Sequence, residues 1–431
     1  MNRVLPRQPI PNLKAYLAAG GGQGIARARE IGSSGVIAEV KSSGLRGRGG
    51  AGFATGLKWR TAARDSQPAV IVANAAEGEP GTMKDRAILE YDPYRVLEGL
   101  AIGAFAIGAA SAIIAIKSRF KPHIERLVAA GAEMGAANLL AGVDVRIVEG
   151  PDDYLFGVET AMLEVIEGRD PLPRVLPPYL AGLTDPDGTE MATVVNNVET
   201  LANVPAIIAM GSDWFRSTGT DKSPGSMVFT VSGDVVDAVV VELPLGTPLS
   251  YLVYGPGGGM RQGRRPKLVV SGVSNRPLTE AELDTPLSYE ALAAIGSGLG
   301  SGGFIVYDDT TCAVEVAAAL SGFLSEGSCG QCPPCKLGTT AFSTGFMSML
   351  DGRADLEEVE ALTGWISRVT DANRCGLGAG QRALASGIFG QFAEDVVACL
   401  DGTCPGHRGL LAPASIDHDP SRQRPLIVFD E

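Results

Sequence analysis

The chain has 431 residues, of which 45% are hydrophobic, and a formal net charge of -13 at pH 7. This length exceeds one ordinary core, so the sequence predicts about two to four structural units. The acidic balance argues against nonspecific binding to nucleic acid, because phosphate backbones select basic surfaces. The first residues lack the continuous apolar segment of a secretory signal, so we expect a cytoplasmic protein.

Apolar periodicity divides the chain into five predicted regions. Residues 1–54 form a helical segment and a glycine-rich loop, and residues 55–222 alternate between helices and buried strands, which is typical of α/β layering. Residues 223–310 are rich in short strands, whereas residues 311–410 return to long apolar helices. Residues 411–431 are predicted to be an extended tail.

The individual elements follow from the same patterns. Helices are predicted over Leu13–Arg29, Val36–Ser42, Asp92–Ala110, Ile124–Ala137 and Asn197–Met210. Strands are predicted over Ala69–Ala73, Ile113–Ile116, Val143–Val148, Ser226–Gly233, Val235–Leu243 and Leu268–Val273.

One uncharged run, from residue 99 to residue 116, is near the lower length limit for a membrane-spanning helix. Its glycines and alanines give way to β-branched residues at 111–116, which indicates a packed helix followed by a buried strand. We therefore expect no direct membrane span.

The segment Gly44–Trp59 contains six glycines and three cations. Glycine permits the backbone dihedrals of an anion-binding nest, and Arg46, Arg48 and Lys58 supply positive charge. A helix beginning just after the loop would add its positive end. The segment predicts a phosphate site, although a glycine-rich loop alone is weak evidence and is more often a turn or a close-packing device.

A second motif is the run of Cys329, Cys332 and Cys335 in C-x2-C-x2-C spacing, followed by Cys375. A [4Fe–4S] cluster requires four thiolates, and such a loop supplies three of them. Structural zinc is the competing interpretation, but its usual second C-x2-C knuckle is absent beside Cys375. Reduced core thiols are the remaining alternative, since seven cysteines are too sparse for a disulfide scaffold.

The other cysteines carry weaker signals. Cys399 and Cys404 are interpreted as ordinary reduced thiols, with a redox disulfide or a metal shared with His407 as alternatives. Cys312 precedes an apolar helix and is interpreted as a core residue.

Four motifs in order carry a resemblance that spans almost the whole chain: the glycine-rich segment, 74–82 (NAAEGEPGT), 154–160 (YLFGVET) and 196–201 (NNVETL), followed by the cluster loop. Together they resemble the flavin- and NADH-binding subunit of respiratory complex I and its relatives in NAD-linked formate dehydrogenases and hydrogenases. The resemblance implies a Rossmann-like α/β FMN domain, a ubiquitin-like β-grasp insert and a carboxy-terminal four-helix iron–sulfur bundle.

The same resemblance implies the cofactors FMN and [4Fe–4S], with NAD(H) or NADP(H) as substrate. FMN would be held near its phosphate and ribityl chain by Gly47, Arg48, Gly49, Gly50 and Lys58. The rest of FMN would be surrounded by Asn74, Glu77, Gly157, Asn196, Asn197 and Thr200. The nicotinamide nucleotide would contact Phe53, Glu79, Tyr154, Glu159 and Tyr179. No side chain is expected to act as a catalytic acid or base, because hydride transfer to flavin needs none.

The sequence departs from the family pattern around the expected nucleotide pocket. Ala76 stands where the family usually has an aspartate, Val158 precedes Glu159 where it has paired glutamates, and Leu176 stands where it has a lysine. Two functions follow: an NAD(P)(H)-linked diaphorase subunit, or an electron-conducting subunit that no longer uses the nucleotide. The resemblance also implies two kinds of partner, a thioredoxin-like [2Fe–2S] subunit and a further catalytic or electron-accepting subunit.

Overall fold

The structure is a computed structural model, and it describes residues 3–63, 68–140, 142–185, 187–369, 374–404, 406–410 and 426–429. These residues form two sheets with their associated helices and a group of carboxy-terminal helices.

The first sheet has five strands in the order β3-β2-β1-β5-β4. Neighbouring strands are parallel except β4, which runs antiparallel to β5. Its central strands are runs of valine, isoleucine and alanine buried on both faces, as expected for a parallel sheet. The strands are Ala69–Ala75 (β1), Ser111–Lys117 (β2), Asp144–Gly150 (β3), Leu183–Thr184 (β4) and Glu190–Asn197 (β5).

Helices cover both faces of this sheet. One apolar cluster joins α2, α5, α6 and α8 to one face, and a smaller cluster around Phe156 and Met162 covers the other. The helices are Leu13–Ala18 (α1), Gln23–Ser43 (α2), Thr55–Ala62 (α3), Lys84–Tyr91 (α4), Pro93–Ile107 (α5), Lys121–Ala136 (α6), Glu159–Ile166 (α7), Val198–Met210 (α8) and Ser212–Arg216 (α9).

The second sheet has six strands in the order β11-β7-β6-β10-β8-β9. β6 and β7 are antiparallel, and β10 inserts between β6 and β8, parallel to the first and antiparallel to the second. The strands are Ser226–Gly233 (β6), Val239–Pro244 (β7), Pro266–Ser271 (β8), Leu278–Thr279 (β9), Gly303–Asp308 (β10) and Leu426–Val428 (β11). Two short helices accompany them, Leu249–Tyr254 (α10) and Tyr289–Ala294 (α11).

Four long helices and a short fifth one form the third unit. They are Ala313–Glu326 (α12), Pro333–Leu350 (α13), Leu356–Arg368 (α14), Leu377–Gln391 (α15) and Ala393–Leu400 (α16). Phe342, Phe346, Leu384 and Ile388 are fully buried between them. A methyl group at Gly345 would lie 2.4 Å from a side-chain carbon of Leu362, so glycine lets α13 and α14 approach closely.

This architecture confirms the predicted fold class: a Rossmann-like α/β domain, a β-grasp insert and a helical carboxy-terminal unit. The predicted domain boundaries stay a prediction. Of the predicted tail, residues 411–425 lie outside the described part of the chain, whereas Leu426–Val428 pairs with β7 at the edge of the second sheet.

Within the described residues, no single helix combines the length and the apolar composition needed to cross a bilayer. One pair, Leu377–Gln391 with Ala393–Leu400, reaches both only when taken together, and it is bent by 79°.

Candidate functional site

The glycine-rich segment folds back on itself as a short loop. Arg46 and Ala54 form an antiparallel bridge, and the Gly47 amide donates to the Phe53 carbonyl at 2.8 Å. Gly50 and Gly52 have φ values of 124° and 62°, which side chains with a Cβ rarely adopt. The loop leads directly into α3, so the amino-terminal end of that helix lies beside it.

This loop forms one wall of a pocket of about 390 Å³. A volume of this size falls in the range of small-molecule and cofactor sites. Twelve of the sixteen residues predicted to contact flavin or nucleotide line it: Gly47, Gly49, Phe53, Lys58, Asn74, Glu77, Glu79, Tyr154, Gly157, Glu159, Asn196 and Asn197.

Four predicted contacts do not line the pocket: Arg48, Gly50, Thr200 and Tyr179. The Arg48 guanidinium is fully buried and donates to the carbonyls of Pro224 and Ser226, at 3.3 and 3.0 Å. Thr200 instead accepts a hydrogen bond from the Arg48 amide, at 2.8 Å. Arg48 therefore joins the glycine-rich loop to the start of β6 and does not present its charge to the pocket.

Lys58 is the cation of the glycine-rich segment that faces the pocket. Its Nζ donates to the Val195 carbonyl at 2.7 Å and forms an ion pair with Glu159. Two amide side chains are fixed near it: Asn74 donates to the Gly157 carbonyl at 2.8 Å, and Asn196 accepts from the Trp59 indole at 2.8 Å. These bonds hold polar groups and a cation at the strand ends, where α/β folds bind cofactors.

A small residue is also required at two points of the pocket wall. A methyl group added to Gly49 would lie 3.2 Å from the Asn197 Cβ, and one added to Gly157 would lie 3.2 Å from the Ala76 carbonyl oxygen. The glycines thus let backbone border the cavity directly, which suits the close approach of a phosphate or a planar ring. The donor set and the glycine-lined wall fit FMN.

Beneath the pocket lies a buried charge cluster that sequence reasoning missed. Lys84 is fully buried, with its Nζ 2.6 Å from Asp85 Oδ1, 3.0 Å from Glu199 Oε2 and 3.0 Å from Asn197 Oδ1. Burial raises the pKa of Asp85 to about 6, although Lys84 opposes the shift. The same burial would lower the pKa of Lys84, but Asp85 and Glu199 outweigh it and raise that pKa.

The sequence offered only a faint signal for this cluster. Lys84 and Asp85 are adjacent charges at the start of a short helix, and such pairs are usually solvated. Asp85 and Asn197 nevertheless both line the pocket, so the cluster supports its floor.

Glu79 and Tyr154 form the side of the pocket that faces the other two units. The Tyr154 hydroxyl donates to Glu79 Oε2 at 2.9 Å, and the Val273 amide donates to Glu79 Oε1 at 2.6 Å. Burial raises the pKa of Glu79, and the two hydrogen bonds reduce that rise. The Tyr154 ring packs edge-on against Phe323 of α12, with ring centroids 5.0 Å apart.

The four predicted cluster cysteines lie at the end of the helical unit near the pocket. Cys332 precedes α13, Cys335 lies in its first turn and Cys375 lies just before α15. Burial raises the pKa of Cys375, and the charges of Cys335, Cys329 and Cys332 raise it further. Four converging thiols at two helix starts fit a [4Fe–4S] cluster.

The fold and these two sites define a flavin- and iron–sulfur-binding electron-transfer subunit. Family models match in the same places: the "Nuo51 FMN-binding domain" over residues 40–206, the "SLBB domain" over 228–275 and the "NADH-ubiquinone oxidoreductase-F iron-sulfur binding region" over 315–399. The chain belongs to the family of NADH-quinone oxidoreductase F subunits and their hydrogenase relatives. It is an oxidoreductase component whose cofactors are FMN and a [4Fe–4S] cluster, which confirms the predicted resemblance.

Individual relatives cover most of the chain. The NADH-quinone oxidoreductase F 2 subunit of Rhizobium meliloti (strain 1021) is 39% identical over 409 residues, which is 92% of this chain and 96% of the relative. NADP-reducing hydrogenase subunit HndC of Solidesulfovibrio fructosivorans is 36% identical, covering 91% of this chain and 81% of the relative. A crystal structure of NAD+-reducing [NiFe]-hydrogenase in the H2-reduced state matches with a TM-score of 0.81 and 32% identity, over 91% of this chain and 67% of that chain.

Proposed function

We propose that this chain is the diaphorase subunit of a multisubunit oxidoreductase. In this role it transfers hydride between NAD(P)(H) and FMN and relays single electrons through its iron–sulfur cluster. One observation carries the proposal: the pocket wall includes Gly376, the residue directly after the cluster cysteine Cys375. A flavin in this pocket would therefore lie beside the cluster, as electron transfer between them requires.

FMN supplies, when bound, the hydride chemistry and the passage between two-electron and one-electron transfer. The chain's own part is to bind and orient it. Gly47 and Gly49 bring backbone to the cavity, and Lys58 provides a cation for a phosphate. Because Lys58 is paired with Glu159, an entering phosphate would compete with that carboxylate for the ammonium group.

For the cluster, Cys329, Cys332, Cys335 and Cys375 are the proposed ligands. Their thiols would bind as thiolates, and the cluster would supply one-electron transfer when bound. Arg374 donates to the Pro173 carbonyl at 3.2 Å, and Gln331 donates to the same carbonyl at 3.3 Å. These two bonds connect both cysteine segments to one loop and hold the ligand set together.

The proposed nucleotide site is the open rim of the pocket. Phe53 leaves 55% of its surface exposed there, which offers an aromatic face for stacking a nicotinamide or adenine ring. Glu79 and Tyr154 contribute polar groups to the same lining. Ala76 and Val158 also line the pocket, so the wall is apolar where the family usually carries carboxylates.

The proposed partners are a thioredoxin-like [2Fe–2S] subunit and a further catalytic or electron-accepting subunit. The relatives support this proposal, since their names describe subunits of quinone oxidoreductases and hydrogenases. We propose a cytoplasmic location, where thiols stay reduced and available as cluster ligands.

The test is an anaerobic absorbance titration of the purified, cofactor-containing protein with NADH and then with NADPH. Bleaching of the visible flavin band by either nucleotide, followed by loss of cluster absorbance, is the expected result. If both nucleotides fail while dithionite reduces an intact flavin and cluster, the chain is the electron-conducting subunit instead.

The Phe53→Ala variant examines the nucleotide site itself. Losing one aromatic contact worth about 0.5–1.5 kcal/mol would raise the KM for the nucleotide by about 2- to 12-fold. Reduction by dithionite should not change. The matched control is Tyr254→Ala, because Tyr254 is 52% exposed and does not line the pocket. Equal KM values in both variants would remove Phe53 from the site.

A further inference from the structure

Three cysteines outside the predicted cluster converge with a histidine in the helical unit. Cys312, Cys399, Cys404 and His407 each offer one ligand atom, and these four atoms all lie within 4.8 Å of one another. The Cys312 and Cys399 sulfurs are 3.5 Å apart, and the Cys404 sulfur is 3.6 Å from His407 Nε2. All three cysteines are free thiols.

Ordinary elements of the fold bring these four residues together. Cys312 is the residue before α12, and Cys399 lies in the last turn of α16. The chain then turns sharply, because the amides of Thr403 and Cys404 both donate to the Ala398 carbonyl, at 2.9 and 3.0 Å. Two separate helix ends and the segment after α16 therefore supply the ligands.

The spacing suits one metal ion. In a tetrahedral zinc site with Zn–S bonds of about 2.3 Å, the ligand sulfurs lie about 3.8 Å apart. This value agrees with the sulfur–sulfur and sulfur–nitrogen distances of 3.5 and 3.6 Å. A [4Fe–4S] cluster instead spreads its ligands over four iron atoms and needs wider separations. Three cysteines and one histidine are a common donor set of closed structural zinc sites.

The segment that carries His407 is held in place by its neighbours. The Arg408 amide donates to Glu315 Oε2 at 3.0 Å, and the Leu410 amide donates to Glu315 Oε1 at 2.9 Å. The Arg408 guanidinium binds both oxygens of Asp234, at 2.7 and 2.8 Å. These bonds fix the backbone that directly follows His407, whose Nε2 lies 3.6 Å from the Cys404 sulfur.

We propose that Cys312, Cys399, Cys404 and His407 bind one Zn²⁺ ion in a closed structural site. The three thiols bind as thiolates and release three protons, and His407 binds through Nε2 as the neutral imidazole, so the bound site has a net charge of about -1. Zinc is redox-inactive, and the site takes no part in electron transfer. It fastens α12 to α16 and, through Arg408 and Asp234, fastens the helical unit to the second sheet.

The experiment uses the full-length, cofactor-containing protein produced with Zn²⁺ in the medium. Elemental analysis should find about one zinc per chain in addition to the cluster iron. X-ray absorption at the zinc edge should show three sulfur ligands at about 2.3 Å and one nitrogen at about 2.0–2.1 Å. These measurements on the wild type do not depend on whether any variant folds.

Two variants locate the ion. Cys404→Ser and His407→Ala should lose most of the zinc on dialysis against a chelator while they keep the wild-type iron and flavin content. The matched control, His123→Ala, changes a histidine on α6 and should keep about one zinc per chain.

Three results would overturn the proposal. The first is wild-type protein that retains no stoichiometric zinc after incubation with Zn²⁺, or zinc with only oxygen and nitrogen ligands. The second is a loss of iron in Cys404→Ser, which would make these residues cluster ligands. The third is a Cys312–Cys399 disulfide in anaerobically prepared protein, detected by thiol labelling and mass spectrometry.

Discussion

Replacing Lys84 by methionine tests whether the buried charge cluster stabilises the pocket. Methionine is a similarly unbranched side chain, one atom shorter, and the substitution removes both the charge and the hydrogen bonds that Lys84 Nζ donates. It leaves Asp85 and Glu199, both almost fully buried, without the ammonium group that lies 2.6 and 3.0 Å from their oxygens. The change therefore leaves both buried carboxylates without this ammonium group, while Arg48 still partly offsets the charge of Glu199.

The expected cost is large. Removing one partner of a buried ion pair destabilises a protein by about 3–5 kcal/mol. At about 2–4 °C per kcal/mol for a unit of this size, the thermal midpoint should fall by about 6–20 °C. The matched control is Lys121→Met. It breaks an ion pair with Glu149 of 2.5 Å in which both side chains are well exposed, so it should cost less than about 1 kcal/mol.

The pH dependence gives a second, independent criterion. Burial raises the pKa of Asp85 to about 6, above its unfolded value. Protonation of Asp85 therefore contributes stability that is fully present below the unfolded pKa and is lost as the pH rises through about 6. Without Lys84, which lowers this pKa, the loss should extend to higher pH. The deficit of Lys84→Met should thus be greatest above pH 7 and should shrink on acidification.

Thermal unfolding followed by circular dichroism at several pH values measures both effects. Adding Glu199→Gln to Lys84→Met should restore part of the stability, because it removes one of the unpaired charges. The reasoning fails if Lys84→Met is no less stable than Lys121→Met at neutral pH. It also fails if the deficit does not change with pH.

Three further predictions concern the two cofactor sites and the second sheet. Gly49→Ala should lower the FMN content, measured by fluorescence after release of the flavin, because the added methyl group would lie 3.2 Å from the Asn197 Cβ. The control is Gly131→Ala, whose added methyl group meets nothing within 4 Å, and this variant should keep its flavin. Cys332→Ser should lose the cluster's iron and electron paramagnetic resonance signal but keep FMN; retention of the full signal would contradict the assignment. Arg408→Met should destabilise the protein above pH 4 and much less in acid, measured by denaturant unfolding. Burial alone would raise the pKa of Asp234, but Arg408 lowers it below its usual value, so the stability that the ion pair contributes is lost as the pH falls and Asp234 is protonated. An equal loss of stability in Arg408→Met at all pH values would refute this reasoning.

Much of the α/β architecture could be predicted because its signals are local. The runs at β1 and β2 are β-branched and apolar, and the structure places strands there within two residues of the prediction. The predicted helix Leu13–Arg29 is wrong as a single helix, because residues 19–22 form a turn that separates α1 from α2. Its second half and the predicted helix Val36–Ser42 both lie in α2, which continues across a break at Gly32 with φ of 71°. A glycine within an apolar pattern does not reveal whether a helix ends there or only kinks.

The site was harder to predict from the sequence than the fold, because it depends on where each side chain points as well as on its residue type. Arg48 and Lys58 both qualify as phosphate ligands by charge, yet only Lys58 faces the pocket. Cys312 meets Cys399 across 87 positions of sequence, and no short spacing marks that pair. Contacts between residues that are far apart in the sequence produce no recognisable spacing or periodicity, so the sequence alone does not predict them.

Glu79 shows how the three units are combined into one site. It belongs to the loop after β1, it accepts a hydrogen bond from Val273 after β8, and its partner Tyr154 packs against Phe323 of α12. A carboxyl group at such a junction keeps its position only while all three units stay together. Because this junction also borders the pocket, a shift of the helical unit would alter the pocket wall and the distance to the cluster at the same time. The proposed electron relay therefore depends on firm attachment of the helical unit, and the proposed zinc site would contribute to it from the far end of α12.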